Sequence, residues 1–62
     1  MNELNAKYTV RDALKEIYGF APEDVHDIHI EKIYDKYIYC EIGGKHYLIF
    51  EGNNFEYMVT RL

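Results

Sequence analysis

From Val25 onward, four β-rich runs follow one another with connections of only two to four residues, and that shortness is the tightest constraint in the sequence. A parallel crossover needs about a dozen residues or more, so successive runs can pair only as antiparallel hairpins. The runs fall at residues 25–33, 37–42, 45–50 and 55–60, where β-branched and aromatic residues recur with a period of two. Between them lie Tyr34-Asp35-Lys36, then Gly43-Gly44 with a neighbour, then Gly52-Asn53-Asn54.

Residues 9–19 carry helix signals instead. Thr9 is placed to cap, with Asp12 three residues later against the helix dipole. Val10, Ala13, Leu14 and Ile17 recur at helical spacing, and Tyr18 extends the stripe. Gly19 suits the left-handed stop, with Phe20 folding back as its apolar contact. Residues 1–8 read as a polar lead-in, and Ala21-Pro22-Glu23-Asp24 as a turn. The expected fold is α+β: one N-terminal helix packed on one face of a four-stranded antiparallel β-meander, in the order α-β-β-β-β, as a single domain over residues 1–62 with the meander over 25–60.

A chain of 62 residues buries only about 60% of its unfolded surface, which argues against a deep catalytic cleft. With 48% apolar and 16% aromatic residues it is nonetheless too rich in buriable surface to stay disordered. A net charge of −4 argues against direct nucleic-acid binding and against anionic membrane surfaces. The lone Cys40 excludes an internal disulfide. Neither a secretion signal nor an apolar run long enough for a bilayer is evident, so a reduced, cytoplasmic setting is expected.

Hairpin register decides which side chains face out, because a one-residue slip exchanges the two faces. A two-residue turn at Gly43-Gly44 groups Ile38, Cys40 and Ile42 with Tyr47 and Ile49, and Tyr37 and Tyr39 with Leu48 and Phe50; neither face is then clean. A three-residue loop Ile42-Gly43-Gly44, with Gly44 as a bulge glycine, groups Ile38 and Cys40 with Leu48 and Phe50 in an aliphatic core. The cleaner separation favours the three-residue loop. A three-residue loop at Tyr34-Asp35-Lys36 likewise puts Ile28 and Ile30 inside, and the last hairpin places Phe55, Tyr57 and Val59 inside. The outer face then holds Glu31, Ile33, Tyr37, Tyr39, Glu41, Tyr47, Ile49 and Met58: tyrosines and aliphatics with acids around them. One helix cannot cover both faces, so this surface is the expected protein-binding site, and tyrosine suits it by offering large area with a polar tip.

Chemistry-bearing residues are sparse. Asp27, His29 and Glu31 alternate on one run with Glu41 opposite His29, a weak metal-ligand set short of the four ligands of a structural site; no metal or cofactor is expected. Cys40 reads as core rather than as a nucleophile partnered by His46, so no catalytic residue is assigned and no enzyme is expected. An aromatic sheet resembles single-strand RNA platforms, but Asp27, Glu31, Glu41 and Glu56 would repel phosphate.

Size, acidity, tyrosine content and a single domain starting at Met1 resemble the small inhibitors encoded by phages and mobile elements, such as anti-CRISPR proteins. The resemblance rests on general character and assigns no residues. It implies a non-enzymatic inhibitor or adaptor acting in the host cytoplasm on a partner protein with a basic, nucleic-acid-handling surface. The alternative expectation is a homodimer that buries the same face against its own copy.

Overall fold

The computed structural model describes residues 1–62 apart from the side chain of Phe55, on which the expectation of an inward Phe55 therefore falls outside the described residues. Helix α1 spans Glu3–Tyr18, followed by strands β1 (His29–Ile33), β2 (Tyr37–Ile42), β3 (Lys45–Glu51) and β4 (Tyr57–Arg61). The strands form one antiparallel sheet in the order β1-β2-β3-β4, so the fold is α+β as expected.

The helix starts about two turns earlier than a Thr9 cap would place it, with the nominal lead-in coiled into it. Asn2 is the cap, its Oδ1 accepting a hydrogen bond from the Asn5 amide at 2.7 Å, and Glu3 sits favourably in the first turn. The reason lies in Ala6, which with Val10, Ala13 and Leu14 completes a buried stripe at helical spacing. Gly19 closes the helix in the left-handed region (φ 82°), its N–H donating to the Lys15 carbonyl at 2.9 Å. Phe20 stays exposed, with its ring centroid 6.5 Å from that of Tyr18. Arg11 ties the helix to the following turn, Nη1 donating to the Glu23 carbonyl at 3.2 Å.

The first strand is shorter than expected. Asp24 Oδ1 accepts from the His26 amide at 2.9 Å and caps a single tight turn over Val25–Asp27, so extended structure begins only at His29. Val25 and Ile28 are buried there instead of continuing a strand. The core lies between α1 and one face of the sheet: Ala6, Val10, Ala13 and Leu14 against Ile28, Ile38, Cys40 and Ile49.

Two local devices set the register. Gly43 (φ 57°) and Gly44 (φ 81°) are both left-handed, which makes Gly43-Gly44 a two-residue turn of the primed type with Ile42 opposite Lys45. The three-residue loop is thereby corrected, and β3 turns over relative to that expectation. A bulge between Ile30 and Lys32 does the same to the end of β1. His29 pairs with Glu41 and Ile30 with Cys40, as a three-residue loop requires; beyond the bulge Ile33 pairs with Ile38 instead of Tyr37. The last hairpin keeps its expected phase on β4: Tyr57 and Val59 pack toward the core and Met58 faces out.

Candidate functional site

The face of the sheet turned away from α1 is built from cross-strand rows. His29, Glu41 and His46 follow one another in register at one end. Lys32, Tyr39, Leu48 and Thr60 form the middle row, and Tyr37, Phe50 and Met58 the far one. Met58 is 64% exposed, Tyr37 43%, and Tyr34 beside them 50%. The Tyr37 and Phe50 rings lie 5.1 Å apart and tilted by 44°, within the range of favourable aromatic pairs. A shallow depression between Tyr34, Tyr37 and Leu48 marks the centre of this apolar end. Lys32 reaches over the Tyr34 ring, Nζ to centroid 5.6 Å.

The opposite end is polar. His46 Nδ1 lies 3.2 Å from Glu31 Oε1 and 3.4 Å from the Tyr39 hydroxyl, with the Tyr39 and His46 rings stacked at 5.8 Å. Glu41 turns back to the hairpin, Oε2 accepting from the Gly44 amide at 2.7 Å. That bond holds the carboxylate beside the turn.

Of the residues expected on this face, Glu31, Tyr37, Tyr39, Glu41 and Met58 belong to it. Ile33, Tyr47 and Ile49 do not. The bulge turns Ile33 inward, and the two-residue turn puts Ile49 (1% exposed) in the centre of the core and Tyr47 against its margin. In their place the face gains His46, Leu48 and Phe50. The signal for them was the Gly-Gly pair itself, the composition that a primed turn demands. Tyr47 instead joins Leu14, Tyr18, Phe20, Ala21, Pro22 and Ile42 around a groove at the helix C-terminus.

Asp27, His29 and Glu31 are not brought together. Asp27 belongs to the tight turn, His29 registers with Glu41, and Glu31 faces His46. Among the described residues no group of three or more His, Cys, Asp or Glu side chains is arranged to hold a metal ion, and no helix is long and apolar enough to cross a membrane.

Cys40 is fully buried, and burial first, then the charges of Glu31 and Glu41, push its thiol from the ordinary 9.0 up to about 12. The folded state therefore favours the neutral thiol: its contribution to stability is complete below pH 9.0 and is lost as pH rises from there toward about 12. Tyr57, raised mainly by burial and next by Glu51, adds loss of the same sign at still higher pH. Urea midpoints measured from pH 7 to 11 are expected to hold level and then fall above about pH 9, with a shallower fall in Cys40→Ala. A thiol reagent at pH 8 is expected to label Cys40 only through unfolding; labelling at the rate of a free peptide thiol contradicts the burial.

No protein-family model, curated protein or solved structure matches this chain. The fold and the two-ended sheet face are thus the grounds for a functional reading.

Proposed function

We propose that this chain is a non-enzymatic protein-binding module that docks the outer face of its sheet on a partner protein. The observation carrying this reading is the contiguity of Tyr34, Tyr37, Leu48, Phe50 and Met58 on a surface that, among the described residues, no other element covers. Exposed apolar surface gathered in one patch marks interaction sites far more often than the same residues scattered singly. Glu31 and Glu41 at the polar end, and a chain charge of −4, suit a partner with a basic rim around an apolar pocket. The sharpest form is an inhibitor, of the kind that phages and mobile elements encode, seated on the basic site of a nucleic-acid-handling protein in the cytoplasm.

The test is affinity capture on the immobilised chain beside the double variant Tyr37→Ser/Met58→Asp. Met58 is largely exposed and Tyr37 lies outside the core, so the variant is expected to keep its fold. A basic protein held by the wild type, released by raised salt and absent from the variant is the expected result. A partner held equally by both proteins overturns the assignment of the face.

A further inference from the structure

The register of β4 against β3 fixes which backbone groups point away from the sheet. The Gly52 amide donates to the Glu56 carbonyl at 2.7 Å, and the Leu62 amide to the His46 carbonyl at 2.8 Å. With Glu51 opposite Tyr57 and Tyr47 opposite Arg61, alternation makes Met58 and Thr60 the residues bonded to β3 between those two points. Tyr57, Val59 and Arg61 therefore direct their N–H and C=O groups outward, along an edge that no further strand among the described residues pairs. The other edge is different in kind. β1 is broken by the bulge at Glu31 and carries the exposed charges of Glu31 and Lys32, devices that keep an edge from pairing. β4 runs unbulged through all five of its pairs.

We propose that this edge is completed by the β4 of a second copy of the chain, antiparallel about a two-fold axis through Val59. In that register Val59 faces Val59 of the second copy, and Tyr57 faces its Arg61. Each of these pairs closes two hydrogen bonds from the outward groups. Charge selects this occupant. Glu51 stands directly opposite Tyr57 in the sheet, and its charge, with those of Asp12 and Glu16 on α1, reaches the Tyr57 hydroxyl. Among the described residues these three acids have no ion-pair partner, and neither has Arg61. Arg61 shares the inner face with Tyr57, so the two-fold brings each Arg61 beside the acids around the other copy's Tyr57. A symmetric pair satisfies both sets at once. The result is one continuous eight-stranded sheet, with the two Met58 side chains flanking the axis on the outer face. The inference concerns the edge and stands apart from docking by the face.

Sedimentation equilibrium from micromolar to millimolar chain concentration tests it, on the wild type, Arg61→Pro and, as a change on the outer face away from the edge, Tyr37→Ser. Proline at position 61 removes an outward N–H and the cation without touching a bond to β3, since that amide points away from it. The wild type is expected to approach twice the chain mass of 7.4 kDa, Arg61→Pro to stay at that mass, and Tyr37→Ser to dimerise like the wild type. Circular dichroism confirms the fold of each variant, and Arg61→Glu replaces Arg61→Pro should proline unfold the chain. Amide exchange supplies a second readout: the Val59 N–H is protected in the dimer and exchanges like an open edge in the Arg61 variant. A wild type that stays at the chain mass throughout overturns the inference. So does a dimer that survives the Arg61 change, or one lost in Tyr37→Ser.

Discussion

Ile49→Ala is expected to lose about 2–5 kcal/mol, the range for deleting most of an aliphatic side chain from a well-packed core. Ile49 is 1% exposed, sits between Ile38 and Val59 in the sheet, and belongs to the cluster that α1 covers. A domain of 62 residues has a total stability of roughly 3–9 kcal/mol at about 0.05–0.15 kcal/mol per residue, so this single change takes a large share of it. Urea titration followed by circular dichroism should show the midpoint lowered by a large fraction of its wild-type value. Phe50→Ala next door is the control. Its ring lies on the outer face, half-buried against Tyr37, and its removal is expected to cost about 1 kcal/mol, the scale of a cross-strand pair. If the two costs came out reversed, β3 would be turned over and the outer face rebuilt around Tyr47 and Ile49.

That contrast also shows where the fold was legible in the residues and where it was not. The order of elements followed from connection lengths, because short connections leave antiparallel pairing as the only solution. The helix stop was written in Gly19, whose left-handed φ of 82° few other residues adopt. The phase of β3 was harder to read. Tyr47, Leu48, Ile49 and Phe50 are four apolar residues in succession, so hydrophobic alternation carries no information there and either face can serve as core. Preferring the phase with the cleaner separation of aliphatics from tyrosines gave the wrong answer. The native core accepts Tyr47 at its margin, where the hydroxyl need not be buried.

Ile33 was obscured by a different cause. A bulge is one extra residue in one strand, and nothing in His29-Ile30-Glu31-Lys32-Ile33 announces it except that Ile30 and Ile33 are three apart while both reach the core. The site was legible in proportion. Tyr37, Tyr39 and Glu41 lie on β2, whose phase was read correctly, and Met58 on β4 likewise. On this face the errors were confined to Ile33 beyond the bulge and to Tyr47 and Ile49 beyond the Gly43-Gly44 turn. His46 shows what such an error hides: on the outer face it meets Glu31 at 3.2 Å and gives the docking surface its polar end.

Since the turn decides the face, changing the turn is the second severe test. Replacing both glycines, Gly43→Ala/Gly44→Ala, is expected to cost about 2–4 kcal/mol, from about 1–2 kcal/mol for each side chain forced into the left-handed region. Sterics contribute nothing, because a Cβ at either position meets no atom within 4 Å. The penalty is therefore conformational and depends on which residue is introduced. Gly43→Asn is expected to be nearly neutral, since asparagine followed by glycine is a favoured primed turn. Two-dimensional NMR supplies the structural readout: contacts between Ile38 and Ile49 across β2 and β3 should persist in Gly43→Asn. In the double alanine variant the chain has two ways out, unfolding or widening the turn by one residue. Widening exchanges the faces of β3, drawing Leu48 and Phe50 inward and exposing Ile49, which the packing against α1 resists. Unfolding is thus the expected outcome. A double alanine variant with wild-type stability and intact Ile38–Ile49 contacts would show that the glycines do not set the register.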